Sequence, residues 1–500
     1  MIELQLTYHL KNTWYQKENI HVLGSAFYKN NLLKKNELAD FFSAVDNEIL
    51  FKEKLNTLSG HFAIIIDNSD TLFIAVDTIR TFPLFIRNAN HSILISDTVL
   101  ANNCHWNNQQ IEYFKHIYCT LDNATLLAEW QQLQAGEYVI VNKQNLSFSF
   151  KTYYHHSKKE NKQTKDFYTN TLIEREKELI KNIRIISANK TILVPLSGGY
   201  DSRYLVALLK KNNINNFECF TYGKTSSYEV TIAEKVCKQL NIKWHFVEYT
   251  DALLQSFFTN DWKNYSDKNH NYSSLPHEQD FFALYYLKKQ NDLPKNAIIL
   301  NGFCQDLLAG SILESPKKQD FKAYIENKNE IKLKDYNYEN SWNGYQEWFV
   351  KNRVSKFIIN SVSVYEYFGL DFYLPFWQTN WINFWYEIPY ELRNHQQFYN
   401  DYLFNGIFKE YAIEYRKPNY DSNNNLNNIK KLAKSILPEA VVKYLQNQNN
   451  KNKNRDNNNT LYLYDAIYEK LNVKPTNKDF RINNIHLLYL LQNLQQDLKP

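Results

Sequence analysis

The segment with the clearest chemical potential is Ser197-Gly-Gly-Tyr-Asp-Ser202, which joins the apolar run 191–195 to a helical pattern. Adjacent glycines permit positive φ angles and carry no side chains, so backbone N–H groups can converge on an anion. The helix that follows directs its positive N-terminal end at the same place, and Ser197 and Ser202 add hydroxyl donors. This segment is therefore predicted to bind phosphate groups.

Asp201 lies inside this segment and would repel a phosphate unless a cation lay between them. Mg²⁺ commonly bridges a carboxylate and nucleotide phosphates, so Asp201 predicts magnesium together with a nucleotide. The spacing matches neither a Walker A motif nor a dinucleotide fingerprint. A tight strand-to-helix turn capped by a serine is the alternative, but the strand–turn–helix setting of all six residues favours ATP.

A second acidic segment, Asn301-Gly-Phe-Cys-Gln-Asp-Leu-Leu-Ala-Gly310, follows the strand pattern 297–300. Asp306 is predicted to join Asp201, because two carboxylates at the ends of two strands form a chemically sensible Mg²⁺ site. The alternative for Asp306 is a carboxylate that caps a helix.

These segments resemble motifs of the asparagine synthetase family, which includes the β-lactam synthetases. Ser197 to Ser202 resembles the family's pyrophosphate-binding loop, and 301–310 is similar to its G-x-G-x-D-E-x-x-G-G motif. Phe220-Thr-Tyr-Gly223 resembles the end of the second strand, whose backbone meets adenine. The resemblance implies Mg²⁺ ligation by Asp201 and Asp306, and ATP contacts from Pro195, Ser197, Gly198, Gly199, Asp201, Ser202, Tyr222 and Gly302.

The activity that the resemblance implies is an ATP-dependent carbon–nitrogen ligase. ATP adenylates a substrate carboxylate and releases pyrophosphate, and ammonia or an amine then forms the amide. Loops of this form also resemble those of surface-polysaccharide pathways, where a sugar uronate would be the acid. One alternative is a non-catalytic ATP-binding scaffold derived from this family. Another is a thiolating enzyme acting on tRNA, which the lack of a C-x-x-C pair and of a basic stripe disfavours.

Several positions depart from the family pattern. The sequence begins Met1-Ile2 and its first cysteine is Cys104, so the N-terminal cysteine that hydrolyses glutamine in this family is missing and no glutaminase activity is expected. Phe303 stands where the family often has a glutamate, and Tyr399 stands where it has a lysine. The cations expected to compensate, as catalytic residues, are Arg203 and Lys417, the latter beside Arg416.

The surrounding patterns predict an α/β protein of two main parts. Short β-rich runs up to residue 150 indicate a hairpin-rich sheet, which resembles the family's α+β glutaminase-like (Ntn-type) sandwich. Strands that alternate with helices then predict a doubly wound parallel sheet, which the resemblance identifies as a PP-loop ATP pyrophosphatase domain with added helices. The expected domains are 1–160, 161–445 and, as an Asn/Lys-rich connector with C-terminal helices, 446–500.

Charge, cysteine content and the distribution of apolar residues limit the partners and the compartment that the sequence predicts. A net charge of +5, from 58 basic and 53 acidic residues, is too diffuse to predict nucleic-acid binding. Five cysteines without a C-x-x-C pair indicate a reducing compartment. The sequence contains neither a signal-peptide pattern nor a run of about 18 apolar residues, so a cytoplasmic protein without a membrane span is expected. A homo-oligomer is left open.

Overall fold

The strands form three sheets in the computed structural model, which describes residues 1–8, 10–89, 92–313, 320–416, 457–471 and 482–497. Their bounds are β1 Ile2–Gln5, β2 Tyr15–Lys17, β3 Ile20–Tyr28, β4 Asn31–Lys34, β5 Leu58–Asp67, β6 Thr71–Val76, β7 Phe85–Ala89, β8 Ser92–Ser96, β9 Trp130–Gln132, β10 Glu137–Asn142, β11 Phe148–Thr152, β12 Thr191–Pro195, β13 Phe217–Gly223, β14 Trp244–Glu248, β15 Ala297–Leu300 and β16 Asp371–Tyr373.

The α-helices of the described residues flank these sheets. Their bounds are α1 Asn36–Phe42, α2 Glu48–Thr57, α3 Asn108–Ile117, α4 Lys165–Ile186, α5 Tyr200–Lys211, α6 Tyr228–Gln239, α7 Asp251–Leu254, α8 Asn260–Asn269, α9 Phe281–Lys289, α10 Gln305–Leu308, α11 Phe321–Asn329, α12 Trp342–Phe349, α13 Val362–Tyr367, α14 Thr379–Glu387, α15 Tyr390–Arg393, α16 Gln397–Tyr402, α17 Phe408–Glu410, α18 Thr460–Leu471 and α19 Ile482–Asp497. Val350–Ile358 and Leu403–Ile407 are π-helical.

The predicted parallel sheet is present. Its five strands run in the order β14-β13-β12-β15-β16, and every neighbouring pair is parallel. Strand β15 is fully buried and β12 nearly so, as expected of strands covered on both faces. The carboxyl ends of parallel strands meet at one edge, where open α/β sheets bind ligands.

The N-terminal strands form the hairpin-rich arrangement that the sequence predicts. One sheet has the order β1-β8-β7-β9, and the other has the order β11-β10-β6-β5-β3-β2 with β4 paired to β3. The sequence predicts strands at the runs 20–28, 71–76 and 92–96, and these are β3, β6 and β8 with the same bounds. The glutaminase-like identity of this region and the boundary near residue 160 stay predictions.

Buried polar contacts join the N-terminal sheets to the rest of the chain. The ammonium of Lys356 donates to the backbone carbonyls of Thr120 and Asp122, at 2.9 and 2.6 Å. The carboxylate of Glu366 accepts a hydrogen bond from the Tyr8 hydroxyl at 2.6 Å. A single apolar cluster also contains residues of both the seven-stranded and the parallel sheet. The two parts therefore share one core.

A helix that packs on the body through one face is predicted by the apolar residues Ile482, Ile485, Leu488, Leu491, Leu494 and Leu498. The last helix, α19, packs on the body through a partly different face. The sequence pattern placed Leu488 and Leu491 on the buried side, whereas Leu488 is 43% exposed and Leu491 is only half-buried. Leu487 and Leu490 are buried instead, with Leu494. The apolar residues are dense enough here to support either face, and contact with the body selects one of them. None of the helices in the described ranges is both long and apolar enough to cross a bilayer.

Buried His156 predicts a dependence of stability on pH. Its Nε2 donates to the Thr78 carbonyl at 2.6 Å, and burial lowers its pKa from 6.5 to about 4. The unfolded chain binds a proton more readily than the folded chain between these values, so acid favours unfolding. We expect the contribution of His156 to the free energy of unfolding to be complete above pH 6.5 and to fall by about 1.4 kcal/mol per pH unit towards pH 4.

Urea unfolding at several pH values measures this dependence. His156→Gln keeps a hydrogen-bond donor without the titrating ring, and we expect a shallower acid slope for that variant. An unchanged slope would contradict the assignment to His156. The matched control is His116→Gln, because His116 is exposed in the last turn of α3. We expect the wild-type acid slope for that variant.

Candidate functional site

A cavity of about 570 Å³ opens at the carboxyl ends of β12, β13 and β15. It brings together segments that are more than 100 residues apart in sequence. Most of the residues singled out from the sequence line it, namely Pro195, Ser197, Gly199, Asp201, Ser202, Tyr222, Gly302 and Asp306. Gly198 lies in the same loop but does not line the cavity.

The glycine loop is held by its own serines. The Ser202 hydroxyl accepts from the backbone N–H of Ser197, and the Ser197 hydroxyl accepts from the N–H of Gly199, both at 3.1 Å. Helix α5 begins directly after Gly199, which has no side chain to cap it. The first turn of a helix presents N–H groups without intrahelical partners, so this end of α5 is suited to an anion.

Gly198 is required by close packing. A Cβ atom at this position would lie 2.8 Å from the Cα atom of Glu229, near the start of α6. At Gly199, by contrast, a Cβ atom would meet only the Ser197 hydroxyl oxygen, at 3.0 Å. The first glycine thus lets the loop approach α6, while the second leaves room on the cavity side.

Arg203 contacts the backbone of the glycine loop. It does not line the cavity, in contrast to the catalytic role expected from the sequence. Its guanidinium is fully buried and donates to the carbonyls of Gly198 and Gly199 at 3.1 and 3.0 Å. It also donates to the carbonyls of Ile413 and Tyr415 at 3.0 and 2.7 Å. Burial lowers the pKa of Arg203 to about 10, so it remains a cation at neutral pH and fixes the loop carbonyls on the side away from the cavity.

Asp201 and Asp306 are adjacent, as predicted. One carboxylate oxygen of Asp201 accepts the backbone N–H of Asp306 at 3.0 Å, and the other accepts the Tyr399 hydroxyl at 3.0 Å. Asp306 lies in the first turn of α10, whose N-cap is Cys304, so the alternative role as a helix cap is not observed. Two carboxylates that line one cavity offer the hard oxygen ligands that Mg²⁺ prefers, with water and phosphate completing the set.

Tyr399 is a neutral donor to this pair. Burial, and then the Asp201 carboxylate, raise the pKa of Tyr399 well above its usual value. The hydroxyl therefore keeps its proton and directs it at Asp201. A tyrosine at this position orients Asp201 and supplies no positive charge, as a lysine would.

The sequence interpretation missed an acidic group on the far wall of the cavity. Asp280 accepts the Tyr222 hydroxyl at 2.6 Å and the Tyr365 hydroxyl at 2.5 Å, and Tyr365 in turn accepts from the Asn301 side chain. Tyr222 also stacks on Tyr249, with ring centroids 4.9 Å apart. No local motif marks Asp280, because its two partners, Tyr222 and Tyr365, are distant from it in sequence.

A comparison with protein families identifies the loop region. The family model described as Asparagine synthase matches residues 183–260, which include β12, α5, β13, α6 and β14. This segment matches the asparagine synthase family, while the rest of the chain lies outside the match. The resemblance inferred from the glycine loop is confirmed over these residues.

Other proteins are similar to the chain over a short segment or at low sequence identity. The tRNA-specific 2-thiouridylase MnmA of Buchnera aphidicola is 32% identical over 94 residues, which cover 17% of this chain and 26% of that protein. The NH3-dependent NAD synthetase of Campylobacter jejuni is 20% identical, with 30% of this chain and 62% of that chain covered and a TM-score of 0.20. The glutamine-dependent NAD⁺ synthetase of Acinetobacter baumannii is 11% identical, with 76% and 65% covered and a TM-score of 0.23. The chain thus spans about a quarter of the curated relative's length.

The two positions that depart from the asparagine synthase pattern, Phe303 and Tyr399, both lie at the site, where Tyr399 contacts Asp201. The Phe303 side chain lines the cavity, and its carbonyl accepts the Trp377 indole N–H at 2.9 Å. Lys417 lies outside the described residues. Its neighbour Arg416 packs over the Phe404 ring, 4.2 Å from the centroid. Within the described chain, no lysine or arginine side chain lines the cavity.

The two loop glycines provide a matched pair of variants. We expect Gly198→Ala to weaken Mg-ATP binding by about tenfold or more, since its methyl group would push the loop away from α6. We expect Gly199→Ala to have a smaller effect, because only a hydroxyl must move. Calorimetric titration of Mg-ATP checks both variants, and equal losses would contradict the packing role of Gly198.

Arg203→Lys tests the support behind the loop. A lysine cannot span four carbonyl acceptors, so we expect the free energy of unfolding to fall by about 2–3 kcal/mol and Mg-ATP affinity to fall with it. Arg175→Lys, at a half-exposed ion pair with Glu178, is the control and should change stability by less than about 0.5 kcal/mol. Loss of turnover with unchanged stability would instead place Arg203 at the substrate.

Proposed function

We propose that the chain is an ATP-dependent ligase that adenylates a substrate carboxylate with release of pyrophosphate. Ammonia or an amine then displaces AMP from the acyl-adenylate to form an amide. The observation that carries this proposal is the convergence of the glycine loop with Asp201 and Asp306 at one cavity. The family match over 183–260 supports ATP-dependent adenylating or amide-forming chemistry in general. The uronate acid, the use of Mg²⁺ and independence from glutamine are parts of the proposal.

In the proposed reaction the chain acts mainly by positioning. The first-turn N–H groups of α5 and the hydroxyls of Ser197 and Ser202 would hold the β- and γ-phosphates, while Arg203 keeps the loop carbonyls turned away. Asp201 and Asp306 would hold Mg²⁺, which neutralises phosphate charge when bound. The substrate carboxylate would then attack the α-phosphorus, and preorganised donors would stabilise the charge that develops.

The cavity cysteine bears on the thiolating alternative. Cys304 lines the cavity, but burial, and then the carboxylates of Asp306 and Asp201, raise the pKa of its thiol well above 9. A nucleophilic cysteine needs the opposite environment, in which positive charge lowers the thiol pKa. Among the described residues that line the cavity Cys304 is the only cysteine, which agrees with the absence of a C-x-x-C pair from the sequence.

A non-catalytic ATP-binding scaffold is the second candidate. Phe303 cannot accept a proton, and Tyr399 remains neutral where the family has a lysine. This candidate predicts that Mg-ATP stabilises the fold while pyrophosphate is released with none of the acids tested. The two candidates therefore differ in turnover and agree on nucleotide binding.

Pyrophosphate release from Mg-ATP, measured with a panel of acids that includes sugar uronates, tests the proposal. We expect Asp201→Asn to lower this release by about 100-fold or more, because half of the acidic pair loses its charge. Tyr399→Phe leaves both carboxylates in place and should have a smaller effect.

Circular dichroism of both variants would show that the fold is retained. Binding of Mg-ATP without pyrophosphate release favours the scaffold. If no Mg-ATP binding is measurable with the wild-type chain, both candidates fail.

A further inference from the structure

A second cavity, of about 250 Å³, lies at the opposite end of the parallel sheet. Lys190 immediately precedes β12, Ile298 is the second residue of β15, and Asp371 begins β16. These residues mark the amino ends of the strands, whereas the candidate ATP site lies at their carboxyl ends. The second cavity is therefore separate from the proposed ligase site.

The charge of this cavity is strongly positive. Its described lining contains four lysines and one carboxylate, which leaves three positive charges; these residues are Lys11, Lys34, Lys35, Lys190 and Asp371. Three of the lysines come from the N-terminal region and one from the start of the parallel sheet. Lys34 and Lys35 reach solvent, and Lys34 is partly covered by the residues around it.

Asp371 forms ion pairs with two of the lysines, and its single negative charge cannot neutralise all four. One of its oxygens lies 2.8 Å from the Lys11 ammonium, and the other lies 2.6 Å from the Lys190 ammonium. Burial lowers the pKa of Lys34, and the nearby Lys190 ammonium lowers it further, while Asp371 and Glu37 oppose this shift. The lysines thus repel one another, and an anion between them would relieve that repulsion.

The inner wall of the cavity is aromatic and neutral. The rings of Phe82 and Phe372 lie with centroids 6.2 Å apart, and His61 lies beside Phe372 at 5.7 Å. The Leu374 N–H donates to Nε2 of His61, and burial lowers the pKa of His61 to about 3. The ring is therefore uncharged, and Thr13 adds a hydroxyl to the lining.

We propose that this cavity binds a small molecule through a phosphate or pyrophosphate group held by Lys11, Lys34, Lys35 and Lys190. Three uncompensated positive charges match a di- or trianion, whereas a monocarboxylate would neutralise only one of them. The aromatic wall would contact the less polar part of the ligand. Because the lysines come from both parts of the chain, a bound ligand would link the N-terminal sheets to the parallel sheet.

Titration calorimetry with inorganic pyrophosphate and EDTA tests this site without Mg²⁺. Without Mg²⁺ the carboxylates of Asp201 and Asp306 repel an anion at the first cavity, so we expect one site in the wild-type chain. Binding should be at least about tenfold weaker in the double variant Lys34→Gln, Lys35→Gln. The control is Lys52→Gln, Lys238→Gln, which removes the same charge from exposed positions on α2 and α6 and should bind like the wild type.

A third variant separates the two cavities. Gly198→Ala, which distorts the glycine loop, should leave this pyrophosphate binding unchanged even if the proposed ligase function fails. The proposal is overturned if binding survives in the Lys34 and Lys35 variant, or if it is lost in Gly198→Ala. Citrate that binds as tightly as pyrophosphate would also overturn it, since recognition would then require only negative charge.

Discussion

The buried guanidinium of Arg203 is the contact on which the candidate site depends. It binds the carbonyls of Gly198 and Gly199 on one side and those of Ile413 and Tyr415 on the other. A loop that turns its carbonyls towards a cation presents its other face to the cavity, and that face carries the serine hydroxyls and the start of α5. One desolvated cation therefore sets the polarity of the loop, and it also ties the loop to a segment more than 200 residues away.

The strands of the N-terminal region and of the parallel sheet could be predicted from the sequence, because short apolar runs bounded by polar residues are typical of strands. Runs 20–28, 71–76, 191–195 and 297–300 have the observed bounds. Packing decides what local pattern leaves open. The buried face of α19 differs from the predicted one, since its apolar residues permit two faces and only contact with the body chooses between them.

The candidate site also contains residues that could be predicted from the sequence and residues whose roles only the packing reveals. The glycine loop and the pair Asp201–Asp306 could be predicted because each lies next to a strand end, where topology brings segments together. Asp280 and the role of Arg203 could not, since their partners are distant in sequence and the same residue types are ordinary on a helix surface. From the sequence alone, the positive charge of Arg203 is expected to lie near phosphate. In the folded chain its guanidinium binds backbone carbonyls instead.

The contacts of Lys356 and Glu366 limit how the chain can be divided. Each is a buried ionisable group whose partners, the carbonyls of Thr120 and Asp122 and the hydroxyl of Tyr8, come from the N-terminal region. A fragment that began after residue 160 would leave both groups without those partners, at a cost of several kcal/mol by analogy with other buried charges. The N-terminal region thus serves as a folding scaffold for the parallel-sheet region, and a shuffled or truncated gene that lost it is expected to yield little folded protein.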